Sequence, residues 1–83
     1  MNNELTPYIK YYGNGNVLAK GQKNSKGQRE GLWEWFYENG NIRWRTPFKE
    51  GKEDGIAEWF DEQGNITETR HWKDGKLIEE TEN

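Results

Sequence analysis

Few residues in this chain could do bond-making chemistry. His71 is the only histidine and there is no cysteine, so a thiol nucleophile and a thiolate metal site have no donor. His71 adjoins Trp72 without a serine motif nearby, which reads as a surface histidine, not a general base. Glu34 and Glu58 recur 24 positions apart, and such equivalence argues for cross-strand charge pairing over paired acid–base work. The acids of the stretch Glu50-Gly51-Lys52-Glu53-Asp54 lack the ligand spacing of a calcium loop. No catalytic residue, metal or cofactor is expected, and the chain is not expected to be an enzyme.

What the sequence does offer is aromatic contact area. Five Trp, four Tyr and three Phe stand among 83 residues, and large rigid rings supply protein hot spots at low entropy cost. Trp33, Trp35, Tyr37 and Trp44 are the candidate partner-binding residues. The acids Glu34, Glu38, Glu58, Asp61 and Glu62 accompany them as candidates for steering a basic partner.

Position along the chain is set by a repeat. Gly31, Trp35-Phe36, Gly40-Asn41-Ile42 and Gly51-Lys52 return 24 residues later as Gly55, Trp59-Phe60, Gly64-Asn65-Ile66 and Gly75-Lys76. A looser copy precedes them, aligning Tyr11 with Phe36 and Asn14-Gly15-Asn16-Val17 with Asn39-Gly40-Asn41-Ile42, with one extra residue in the Lys23–Lys26 loop. Short periods of this kind mark stacked arrays in which no unit buries its apolar face alone. The chain therefore divides as one domain, 1–83, with repeats at about 7–30, 31–54 and 55–78 and a tail at 79–83.

Each copy reads as one β-hairpin. Asn14-Gly15, Asn39-Gly40 and Gln63-Gly64 interrupt β-prone runs, and Asn-Gly favours a two-residue turn with positive φ at both positions. That turn pairs Tyr37 with Ile42, Trp35 with Trp44 and Trp33 with Thr46 on one face, and Phe36 with Arg43 and Glu34 with Arg45 on the other. The last copy would pair Asp61 with Ile66, Trp59 with Glu68, Ala57 with Arg70, Phe60 with Thr67 and Glu58 with Thr69. Gly-containing turns link the hairpins, so an all-β antiparallel meander of about six strands in one elongated twisted sheet is expected. Pro47 predicts a bulge or strand end, and Lys76–Thr81 a capping segment before a frayed Glu82-Asn83 end.

Residues shared by the copies, such as Trp35 with Trp59 and Phe36 with Phe60, read as framework. Trp33 aligns with Tyr8 and Ala57, Tyr37 with Tyr12 and Asp61, and Trp44 with Ala19 and Glu68, so the first and middle copies carry extra aromatics, which mark either a docking surface or a thicker core at the array's centre.

Net charge is −3 overall, but residues 1–29 carry +4 and residues 30–83 carry −7. The acidic two-thirds suits a basic protein surface better than a polyphosphate, and nucleic acid is disfavoured as a partner. No apolar stretch approaches membrane-spanning length, so a cytoplasmic protein without membrane contact is expected.

The run Gly31-Leu32-Trp33-Glu34-Trp35-Phe36-Tyr37-Glu38-Asn39-Gly40-Asn41-Ile42, followed by Phe48-Lys49-Glu50-Gly51-Lys52-Glu53-Asp54-Gly55, resembles the MORN repeat. More narrowly it resembles the bacterial variant found in small YwqK-like antitoxin proteins. The likeness covers about residues 11–78 and departs in the first copy, where Lys10 stands at the Trp35 position. It implies stacked hairpins in an elongated grooved sheet, and a scaffold or binding module. On that footing the expected function is masking or inhibiting a protein partner, as an antitoxin, immunity or anti-defence inhibitor protein of a bacterium or phage does. The partner would be a basic nucleic-acid-processing effector or toxin. The alternative is a structural module that self-associates through its sheet edges, for instance as a homodimer.

Overall fold

The computed structural model describes residues 4–82, a span of strands and short connecting segments without a helix. The strands are β1 (Thr6–Tyr11), β2 (Val17–Lys23), β3 (Arg29–Phe36), β4 (Ile42–Lys49), β5 (Lys52–Glu53), β6 (Gly55–Phe60), β7 (Ile66–Lys73) and β8 (Lys76–Glu82). They form one antiparallel sheet in the order β1-β2-β3-β4-β6-β7-β8, with the two-residue β5 beside β4 ahead of β6. The expected meander is present. It has eight strands, not six, because β5 and β8 are strands in their own right. With extents of 43 × 35 × 12 Å, the molecule is a single layer.

Hairpin register follows the sequence away from the turns. Trp35 faces Trp44, Glu34 faces Arg45 and Trp33 faces Thr46 in the middle hairpin. Trp59 faces Glu68, Glu58 faces Thr69 and Ala57 faces Arg70 in the last. Near the turns the expectation fails. Phe36 faces Ile42 and Phe60 faces Ile66, so the pairs Tyr37–Ile42, Phe36–Arg43, Asp61–Ile66 and Phe60–Thr67 do not form.

The reason is turn type. In each hairpin a carbonyl accepts from the glycine three residues on, Tyr12 from Gly15, Tyr37 from Gly40 and Asp61 from Gly64, and the loop closes one residue further along. Only the glycine adopts positive φ, 96° at Gly40. This is a three-residue loop, a type I turn followed by a left-handed glycine, which shifts the pairing by one residue, and one extra residue in the return strand restores the register beyond it. Arg43 and Thr67 are those residues. Two-residue turns with both positions at positive φ occur instead between hairpins, at Glu50-Gly51 (50° and 85°) and Asp74-Gly75 (50° and 81°).

Pro47 does not end its strand, for β4 runs through it to Lys49. The irregularity falls on the neighbouring chain segment, where β5 and β6 part at Asp54 and the Asp54 N–H donates to the Pro47 carbonyl at 3.0 Å. The expected cap is a complete strand, β8, paired with β7 from Lys76 to Glu82. Asn83 lies outside the described residues.

Alternation gives the layer two distinct faces. One carries Tyr8, Ala19, Trp33, Trp35, Trp44, Thr46, Phe48, Ala57 and Trp59, and all the buried side chains among the described residues belong to it: Ala19, Trp33, Thr46, Phe48 and Ala57. The other carries Ile9, Lys20, Leu32, Glu34, Phe36, Arg45, Ile56, Glu58 and Phe60. With no second layer, the core is made by side chains packing edge to edge on the first face.

Candidate protein-binding surface

The indole-bearing face is built around a stack that crosses three strands. Trp35 lies on Trp44 at 4.2 Å between centroids and 20° between planes, and Trp44 lies on Trp59 at 4.8 Å and 17°. Pairing places these rings side by side, since Trp35 faces Trp44 within the hairpin and Trp44 faces Trp59 across to the next. Such contacts each stabilise by about 0.5–1.5 kcal/mol beyond area burial. The three rings remain partly exposed.

Cations close the two ends of the stack. The Arg29 guanidinium sits 4.9 Å from the Trp33 ring centre and 5.3 Å from those of Trp35 and Phe48. Arg70 lies 5.7 Å from Trp59 and is itself paired with Glu68 at 2.6 Å and Glu80 at 3.4 Å. Sequence reasoning singled out neither arginine. Trp59 it assigned to the framework, and the structure makes it both framework and part of the surface.

The remaining aromatic candidates take other roles. Trp33 is 1% exposed, and its Nε1–H donates to the Gln22 carbonyl at 2.9 Å. It supports the face from below and offers no contact area. Tyr37 lies past the last ladder pair, and its hydroxyl donates to the Phe60 carbonyl at 2.7 Å, as Tyr12 does to Phe36 at 2.5 Å. Asn41 and Asn16 act in the same way, donating to the Glu62 and Glu38 carbonyls at 2.7 Å each. Each hairpin tip is thus strapped to the next. Trp33 departs from the other copies for reasons of packing, and Tyr37 shares with Tyr12 a strapping role that Asp61 lacks.

The acids do not ring the indoles. Glu34 and Glu58 project from the opposite face, where Arg45 forms a 2.6 Å ion pair with Glu58. Glu38, Asp61 and Glu62 lie in the strapped hairpin turns along one margin of the sheet. The Asp61 carboxylate accepts from the backbone N–H groups of Gln63 and Asn65, and the Asn65 N–H is the main cause holding it below its ordinary value. Residues 12–16, 37–41 and 61–65 of that margin contain these three acids and no base. Among the described residues no group of three or more His, Asp or Glu is placed to hold a metal ion.

The model of the MORN repeat variant matches at residues 29–50 and 53–74, together more than half of the chain. The chain belongs to the MORN repeat variant family. Its two MORN matches correspond to the hairpins β3–β4 and β6–β7. The β1–β2 hairpin lies outside them yet shares their turn geometry and bulge, and the tyrosine strap of β3–β4. MORN repeats are generally protein-interaction or scaffold modules, and as a family they are non-catalytic. No curated protein and no solved structure matches the chain.

Proposed function

We propose that this MORN chain binds a basic protein partner and masks its working surface, in the manner of an antitoxin, immunity protein or inhibitor. The observation that carries the reading is the Trp35–Trp44–Trp59 stack, three partly exposed indoles on a sheet face covered by no other element. Indoles held by mutual stacking have little rotamer freedom left to lose, which is what an anchor residue needs. The acids Glu38, Asp61 and Glu62 on the turn margin would draw a cationic cleft toward the plate before contact. A nucleic-acid-processing effector has such a cleft, and a flat plate laid across it would exclude the substrate.

The test is to titrate the protein into candidate cationic nucleases and toxins, reading both affinity and residual enzyme activity. Inhibition is expected, weakened at least tenfold by Trp44→Ala. The doubly reversed Glu38→Lys, Glu62→Lys protein should lower the association rate at low salt. A folded Trp44→Ala protein that inhibits as well as the parent would remove the indole stack from the proposal.

A further inference from the structure

The face opposite the indoles carries the larger share of exposed apolar side chains. Ile9, Leu32 and Ile56 are 48%, 49% and 52% exposed, and Pro47 stands opposite Leu32. Ile9, Lys20, Leu32 and Glu34 line a shallow recess of about 420 Å³ on this side. Beside the apolar row runs a row of charges, one per strand. Lys20 faces Glu34, Glu34 faces Arg45 and Arg45 faces Glu58, so the order across β2, β3, β4 and β6 is plus, minus, plus, minus.

That order is its own complement when reversed. We propose that two copies of the chain pack through this face, about a two-fold axis lying in the interface close to the strand direction, between β3 and β4. Such an axis reverses the strand order of one copy against the other. Lys20 then meets Glu58 of the second copy, Glu34 meets Arg45, and Leu32 lies over Pro47. Isologous contact of this kind is the commonest in soluble oligomers, and two sheets stacked about 10 Å apart form an ordinary sandwich.

Three further observations favour a second copy as the occupant. Arg45 spends its in-chain ion pair on Glu58, and no ion pair to Glu34 forms among the described residues, so Glu34 has a charge to spare for Arg45 of the other copy. A face of 43 by 35 Å comfortably exceeds the ~800 Å² per partner that a stable interface buries. The row in question continues across the array, Leu32 of β3 with Ile56 of β6 and Glu34 with Glu58, so the contact extends beyond a single hairpin. The pairing leaves both indole faces pointing outward, making the dimer bivalent for the partner proposed above without depending on it.

Sedimentation equilibrium on the intact chain tests this, with circular dichroism confirming that each variant is folded. The parent should sediment at twice its 9.9 kDa at tens of micromolar. Leu32→Lys should weaken dimerisation at least tenfold, and Glu34→Lys should do the same by setting a positive charge against Arg45 of the other copy. Leu77→Lys, at an equally exposed apolar position directly across from Trp72 on β7, should leave the dimer intact. A parent that stays monomeric up to a millimolar, a dimer that survives both Leu32→Lys and Glu34→Lys, or one abolished by Leu77→Lys would each overturn the proposal. Partner inhibition is read separately, so either result stands without the other.

Discussion

The Trp33 indole is seated on Gly21, so closely that a β-carbon there would lie 2.2 Å from the ring. The two residues sit on adjoining strands of consecutive hairpins, and each fits only because of the other. At the next junction the equivalent positions are Thr46 and Ala57, both fully buried. One junction fills its volume with nothing plus indole, the other with threonine plus a methyl group.

Gly21→Ala is therefore expected to destabilise the fold by about 2–4 kcal/mol, because neither backbone nor a wedged indole yields cheaply. Urea unfolding followed by tryptophan emission measures it. The double change Gly21→Thr with Trp33→Ala, copying the neighbouring junction, should recover most of that loss.

Trp33 and Trp44 should respond differently to loss of the indole nitrogen. Trp33 Nε1 donates to the Gln22 carbonyl, whereas Trp44 Nε1 is buried without a partner. An orphaned buried donor costs about 1–3 kcal/mol, so Trp44→Phe sheds that penalty as it loses ring area and should change stability by under about 1 kcal/mol. Trp33→Phe leaves a carbonyl unpaired and a void, and should cost about 2–4 kcal/mol. Denaturant midpoints of the two variants decide it.

Glu50 holds φ at 50° in a turn whose second residue is Gly51. Asparagine tolerates that conformation better than glutamate. Glu50→Asn should stabilise by roughly 0.5 kcal/mol, while Asn39→Ala, at ordinary φ, gains nothing from turn conformation and loses the side-chain bond to the Asn41 N–H. Thermal melts of the two variants should move in opposite directions.

Asp61 predicts an acid sensitivity. Its carboxyl lies below the ordinary 3.8 in the folded chain, chiefly because the Asn65 N–H donates to it. A depressed folded value means the stabilisation is complete above the unfolded value and is lost as pH falls below it toward the folded one. Melting temperature should thus begin to fall as pH drops below the ordinary carboxylate value of 3.8. Asp61→Asn should flatten that part of the profile.

The repeat, the all-β class and the inner register of each hairpin were legible because identical landmarks fall at a fixed spacing and cross-strand partners follow from it. The turns were not. Asn-Gly suits a two-residue turn, but a glycine in the same left-handed conformation also ends the three-residue loop, and only the extra residue at Arg43 or Thr67 tells them apart. Trp33 was misplaced for a related reason. Its indole, where other copies carry Tyr8 and Ala57, suited docking as well as a thicker core, while the matching departure at Gly21, where other copies carry Thr46 and Arg70, marks it as paired packing. Reading departures two at a time would have found it.

The tyrosine and asparagine straps reach only from one hairpin to its immediate neighbour. A unit such as Gly31–Asp54 consequently carries both halves of a joint that any further unit of the same kind would meet. Duplicating that coding segment in frame, with Trp33 of the second copy changed to Ala so that it meets Thr46 as Ala57 does, should yield a longer plank with unchanged ends, melting at a higher temperature, and length would become a property tunable by gene duplication with one compensating change.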